Sequence, residues 1–259
     1  MEIKPTGPAT SIPAGMVKIP GGEFDFVVEG TEIEGRNDAG VDVQYPWEPD
    51  ARRFHQHAMT IKNFLMDKFP VTNAQFKKFL DATRYHPADD LNFLKDWKNG
   101  TYPQGWDNKP VTWVSLEDAR AYAAWAGKRL PHEWEWQWAA QGGDGRLYPW
   151  GNSWDAKAVP VASHGRTLTA ADEVGAHPSG ASPFGVMDMV GNVWQWTDEY
   201  QDTHTRGAIL RGGNHYQPQG SLWYFPEAYR NDQHSKLLLM APSYDRSSTI
   251  GFRCVKDAN

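Results

Sequence analysis

The chain of 259 residues has a single cysteine, Cys254, so no intramolecular disulfide can form, and a Cys-rich zinc site or a two-cysteine redox centre is excluded by counting. No stretch reaches the roughly 18 consecutive apolar residues of a membrane-spanning helix. The segment from Met1 to Ile12 has neither the basic nor the apolar region of an export signal. As written, the sequence reads as soluble and cytoplasmic, or as periplasmic or secreted if a signal peptide has been removed. Basic tracts are also missing, and with a net charge of −6 and mixed signs a nucleic-acid partner is not expected. Internal repeats, low-complexity tracts and Pro/Ser linkers are absent, which leaves a flexible leader over residues 1–14 and one domain over 15–259.

Aromatic residues are abundant: 13 Trp, 10 Tyr and 11 Phe serve either a Trp-rich core or stacking surfaces for sugars, peptides or cations. Twenty-four Gly and 18 Pro interrupt nearly every window and predict short elements joined by long irregular segments. Two helices carry matching entry signals and periodicity. Thr72-Asn73-Ala74-Gln75 is a capping box ahead of the apolar face Phe76, Phe79 and Leu80. Ser115-Leu116-Glu117-Asp118 is another, ahead of Ala119, Tyr122 and Ala123, with Gly127 as the stop. A third helix is predicted from Pro131 in its first turn to about Gln141. Alternation over Met59 to Phe64 and Gly251 to Val255 predicts strands, giving an α+β class without βαβ rhythm.

Several phrases occur in an order that resembles the formylglycine-generating enzyme (sulfatase-modifying factor) family, across roughly residues 15 to 256. They include Gly15-Met16-Val17-Lys18-Ile19-Pro20-Gly21-Gly22-Glu23-Phe24, Phe69-Pro70-Val71-Thr72-Asn73, Lys128-Arg129-Leu130-Pro131-His132-Glu133-Trp134-Glu135-Trp136 and Tyr148-Pro149-Trp150-Gly151-Asn152. Gly185-Val186-Met187-Asp188-Met189-Val190-Gly191-Asn192-Val193-Trp194-Gln195-Trp196-Thr197, Arg211-Gly212-Gly213 and Gly251-Phe252-Arg253-Cys254 complete the set. The resemblance implies a single compact domain similar to C-type lectins, with short antiparallel strands, a few short helices and much irregular loop. It leaves function open, because oxidases, iron enzymes of sulfur chemistry, siderophore-maturation proteins and non-catalytic members share the scaffold.

In the family's oxidases two cysteines after Arg-Gly-Gly hold copper, and soft thiolates suit Cu(I). Here that stretch begins Asn214-His215-Tyr216-Gln217, and Gln217 and approximately Leu222 stand where the thiols belong. Copper chemistry and formylglycine formation are therefore not expected. His55 and His57 share a strand face and are compatible with metal, or are simply polar strand residues. His132-Glu133 opens like a zincin helix, but Trp136 takes the place of its second histidine.

The resemblance also implies a calcium loop, with ligands from the Asp188 side chain, the Met189, Gly191 and Val193 carbonyls and the Gln195 side chain. Calcium accepts such oxygens, but Gln195 replaces the family's usual carboxylate, and closure by hydrogen bonds without metal is the alternative. The former active-site groove is expected to be lined by Trp194, Gln217, Trp223, Tyr224 and Arg230, a composition suited to a peptide, a protein segment or a small polar ligand. Each residue also has a structural reading, Arg230 as a partner of Asp232 or Glu227. The leading functional expectation is a calcium-stabilised binding module. The alternative is a cysteine-free, iron-dependent oxidoreductase of the siderophore-maturation type, with His215, Tyr216 and His234 as catalytic candidates. The acidic insertion from Glu29 to Arg53, with Asp38, Asp42, Glu48 and Asp50, reads as a solvated loop.

Overall fold

The computed structural model describes residues 4–9, 11–29, 42–164, 170–202, 204, 206–217 and 228–258. Local signals decide the first two helices. Helix α1 (Asn73–Thr83) begins with Thr72 accepting from the Gln75 N–H while Gln75 accepts from the Thr72 N–H, and α2 (Leu116–Trp125) begins with the same exchange between Ser115 and Asp118. Their apolar faces meet, with Phe76 stacked on Tyr122 at 5.7 Å between ring centres. Helix α3 (Glu133–Gln141) starts two residues after Pro131, because the Pro131 carbonyl accepts from Asp198 N–H and Glu135 instead caps the His132 N–H.

Among the described residues nine strands form three small sheets. β1 (Met16–Ile19), β4 (Phe64–Asp67) and β9 (Val255–Asp257) make one antiparallel sheet, and β2 (Gly22–Val28) pairs antiparallel with β3 (His55–Ile61). The third runs in the order β7 (Ser235–Leu238), β6 (Gly207–Arg211), β5 (Trp194–Tyr200), β8 (Ile250–Gly251). Its β5–β8 pair is parallel, an addition to the short antiparallel strands expected. A parallel pair needs a long crossover, which β6, β7 and α4 (Pro242–Asp245) supply.

Two expected strands are each divided. The alternation over Met59 to Phe64 breaks at Lys62-Asn63, where the Asn63 side chain accepts from Gly21 N–H at 2.7 Å. The stretch from Gly251 to Val255 ends β8 and begins β9, because Phe252-Arg253-Cys254 between them bonds sideways. The Phe252 carbonyl accepts from Val71 N–H, and Cys254 and Asp67 exchange two hydrogen bonds. Thr6 and Ala9, in the segment assigned as a leader, hydrogen-bond to Asp257. Two apolar clusters fill the interior of this single compact domain. One is built on Phe26, Trp136, Val190 and Ile209 and the other on Phe76, Tyr122, Trp196 and Phe252.

Candidate ligand-binding site

The segment from Asp188 into β5 is folded by backbone strain and a buried cation together. Asp188 has φ 52 and its carboxylate accepts from the Gly175 N–H at 2.7 Å. Burial pushes that carboxyl up, with the Gly175 N–H and Arg253 opposing. Gln195, fully buried, uses both ends of its amide. Its oxygen accepts from the Trp136 indole at 2.9 Å and Arg253 Nε at 2.7 Å, and its nitrogen donates to the Asp188 and Met189 carbonyls at 3.0 and 2.9 Å. The Arg253 guanidinium, also fully buried, donates to the carbonyls of Asp67, Met187 and Asp188 at 3.0, 2.7 and 2.8 Å. Burial lowers its pKa to about 10. Of the carbonyls expected to hold calcium, that of Met189 already accepts from the Gln195 amide, as does the neighbouring Asp188 carbonyl. In this arrangement Gln195 turns its nitrogen to the loop carbonyls and a guanidinium supplies positive charge beside them, so a calcium ion would require that amide to present its oxygen instead.

Arg-Gly-Gly follows at the end of β6, and only glycine fits there. A Cβ on Gly212, at φ 94, would lie 2.3 Å from the Met189 carbonyl oxygen, and one on Gly213, at φ 65, 2.6 Å from the Tyr229 ring. Arg211 before them enters a buried charge cluster. Glu133, at the start of α3, accepts from Tyr45 Oη at 2.6 Å and Arg211 Nη1 at 3.1 Å and bonds His234 Nδ1 at 2.6 Å. Burial alone would raise the Glu133 carboxyl, but His234, Arg211 and the Tyr45 hydroxyl overcome it and hold it at about 2. Tyr45 moves the other way, well above the usual phenol range, by burial and then by the neighbouring carboxylate.

From this cluster the chain reaches an open cavity. Arg211 Nη2 donates to the Asn231 carbonyl at 2.5 Å, and Asn231 in turn donates to the Leu147 and Arg146 carbonyls at 2.7 and 3.0 Å. Asn231 therefore clips together the two segments that form opposite walls of a cavity of about 480 Å3. Its aromatic lining is Tyr148, Trp154 and Tyr229, with Val159 to Ala162 as an aliphatic side and Gln217, Arg230 and Gln233 as polar groups. Trp154 stacks on Tyr229 at 5.6 Å with 8° between the planes, and Tyr148 meets Trp154 edge-on at 5.5 Å. The Gln217 amide donates to Tyr229 Oη at 3.1 Å, which donates to the Asn214 carbonyl at 2.5 Å. Arg230 is bound to Glu29 at 2.9 Å and to Asp232, so the cavity offers aromatic faces and amides with its cation already neutralised.

A family model described as "Sulfatase-modifying factor enzyme 1-like domain" matches residues 4–258. The chain belongs to this family. It is 31% identical to the formylglycine-generating enzyme of Mycobacterium tuberculosis, over 78% of this chain and 90% of that protein. It is 30% identical to the inactive C-alpha-formylglycine-generating enzyme 2 of Bos taurus, over 94% and 88%. To the hercynine oxygenase of Mycolicibacterium thermoresistibile it is 34% identical over 61% of this chain, which spans only 40% of that protein. Among solved structures, PvdO from Pseudomonas aeruginosa shares the fold, with a TM-score of 0.61 at 23% identity, covering 93% of this chain and 94% of PvdO.

Against this sulfatase-modifying-factor background the site residues expected from sequence fall into three groups. Gln217 and Arg230 line the aromatic cavity. Trp194 is buried in the core beside Trp196, His215 donates Nδ1–H to the Asn192 carbonyl at 2.9 Å, and His234 belongs to the Glu133 cluster. Tyr216 is held by its backbone, donating to the Asn214 side chain at 2.6 Å. Trp223 and Tyr224, with Leu222, lie outside the described residues. The chain's one thiol is buried and its pKa is pushed well above the ordinary value by burial and Asp67, which suppresses thiolate chemistry. His55 is buried with Nδ1 on Glu48 at 2.8 Å, and His57 stacks on Trp47 at 4.4 Å. Glu48 is therefore an inward residue of the acidic insertion rather than a solvated one. Among the described residues no cluster of three His, Cys, Asp or Glu side chains is arranged to hold a metal.

Tyr148, Trp154, Tyr229 and the Glu133 cluster were not singled out as functional from sequence. The family phrase Tyr148-Pro149-Trp150-Gly151-Asn152 carried part of the signal, because Tyr148 stacks on Trp150 and so presents its edge to Trp154.

Proposed function

We propose that this chain is a ligand-binding member of the sulfatase-modifying factor family, taking a peptide segment or a small polar molecule into the aromatic cavity. One observation carries the reading. Gln217, which the alignment puts where the oxidases have a thiol, bonds to Tyr229 and lines a cavity with three aromatic rings. A carboxamide there offers hydrogen bonds to a ligand but no soft ligand for Cu(I). Formylglycine formation is accordingly not expected: a cysteine peptide incubated with the protein, copper and oxygen should keep its mass. Binding is tested by screening peptides and polar metabolites against the protein and its Trp154→Ala variant. The expected result is a ligand whose affinity falls about tenfold or more in the variant; affinities equal in the two proteins would remove the cavity from the reading.

The calcium-stabilised form of this reading requires Gln195 to release the Met189 carbonyl and to turn its oxygen, now held by Trp136 and Arg253, towards the ion beside the Asp188 carboxylate. Adding calcium to chelator-treated protein tests it, and an unchanged melting temperature would retire it. The second reading, a cysteine-free oxidoreductase using iron, is supported by the similarity to hercynine oxygenase. Iron retained through desalting, together with substrate-dependent oxygen uptake, would favour it over a pure binding role.

A further inference from the structure

A smaller cavity of about 250 Å3 lies apart from the aromatic one, with Asp96, Trp106, Lys109, Thr112, Trp113 and Ser248 in its lining. It holds one carboxylate and one ammonium that do not neutralise each other. Asp96 accepts from the Trp113 indole N–H at 2.8 Å, and Lys109 donates to the Ala171 carbonyl at 2.5 Å. Among the described residues neither side chain forms an ion pair. The Lys109 ammonium has three donors and spends one on Ala171; a carboxylate has lone pairs beyond the single bond Asp96 accepts. Two cations elsewhere are matched directly, Lys128 with Asp67 and Arg120 with Asp198.

The wall between these charges is also conformationally specified. Trp113 has φ 58, an uncommon conformation for a bulky side chain, and is held there by both backbone groups: its N–H donates to the Ser247 carbonyl at 2.9 Å and its carbonyl accepts from Leu94 N–H at 3.1 Å. Strained residues of this kind concentrate at ligand clamps. Here the strain holds an indole whose N–H fixes Asp96, while the Lys95 ammonium sits 4.7 Å from the ring centre.

We infer that this cavity binds a small zwitterion of the α-amino acid or short-peptide class, with its ammonium on Asp96 and its carboxylate on Lys109. One such molecule satisfies both unpaired charges at once, whereas a simple anion or cation leaves one of them unmatched. Trp106 and Trp113 cover its apolar part, and the Thr112 and Ser248 hydroxyls complete the polar edge. The volume lies below the about 300–1,000 Å3 usual for larger ligands, which sets the occupant's size.

The test is calorimetric titration with a panel of free L-amino acids and glycyl dipeptides, repeated for the tightest binder with its N-acetyl and methyl ester forms. Binding is expected for the free zwitterion and is expected to weaken by about tenfold or more when either end is blocked. Asp96→Asn keeps an acceptor for the Trp113 indole and should preserve the fold while losing a similar factor, as should Lys109→Met. Trp154→Ala, in the other cavity, should leave this affinity unchanged. The inference is overturned if no member of the panel binds, if blocked and free forms bind equally, or if Asp96→Asn binds like the wild type.

Discussion

Two glutamines stand at positions where the resemblance to the sulfatase-modifying factors implies different side chains, and the structure uses them in opposite ways. Gln195, in place of a carboxylate, is fully buried and makes four hydrogen bonds that tie β5 to the Asp188 loop and to Arg253. Gln217, in place of a thiol, lies at the edge of a cavity, with its amide on one tyrosine hydroxyl. The same functional group is spent entirely on protein partners in the first place and borders open space in the second, where the proposed reading gives it a ligand. What separates the two is the cation: Arg253 fills the inner site from the protein itself, whereas Arg230 at the outer one is drawn aside by Glu29 and Asp232.

The sharpest way to break this contrast is to remove the inner cation. Arg253→Met removes the guanidinium from the Asp67 and Met187 carbonyls and one of the two donors from both the Asp188 carbonyl and the Gln195 oxygen, and should cost on the order of 3–5 kcal/mol in urea unfolding, or prevent folding altogether. Glu133→Gln should come next, at about 3 kcal/mol at neutral pH, and its effect should depend on pH. The folded Glu133 carboxyl sits at about 2, below its ordinary 4.5, so its stabilisation is present above about 4.5 and is lost as pH falls towards 2. The gap in stability between wild type and variant should therefore narrow across that interval; a constant gap would show that the carboxylate's charge is not what matters. Gln195→Glu turns a donor into an acceptor facing two carbonyls, and should lower stability by about 1–3 kcal/mol in chelator. If calcium restores it, the loop retains the capacity that the resemblance implies. Trp154→Ala, at a residue 47% exposed, should change stability by only about 1 kcal/mol while weakening cavity binding, which separates recognition from folding.

How much of this was legible in the sequence follows from how local each determinant is. The caps of α1 and α2 lie within three residues of the groups they satisfy, and both were readable. The break between β8 and β9 was not, since alternation over Gly251 to Val255 is cancelled by an arginine that reaches carbonyls on other segments. Glu133 reads as a failed metal motif from its neighbours. Its partners Tyr45, Arg211 and His234 lie 88, 78 and 101 residues away, beyond any spacing rule. The aromatic cavity was half legible: the resemblance put Gln217 in place of a thiol and Arg230 in the expected groove, but Tyr148 and Trp154 come from a stretch joined to the Tyr229 segment through Asn231.

The Arg253 contacts also tie together segments that lie far apart in the chain. Strand β9 is the outer partner of β4, at Phe64 to Met66, and β8 pairs with the start of β5, so segments far apart in sequence must meet. Closing such long loops is slow compared with forming helices α1 and α2. Without residues 250–257 one edge each of β4 and of the start of β5 would be unpaired and the Asp188 loop would lack its cation. The phrase Gly251-Phe252-Arg253-Cys254 thus fastens two sheets and one loop at a single point of the chain.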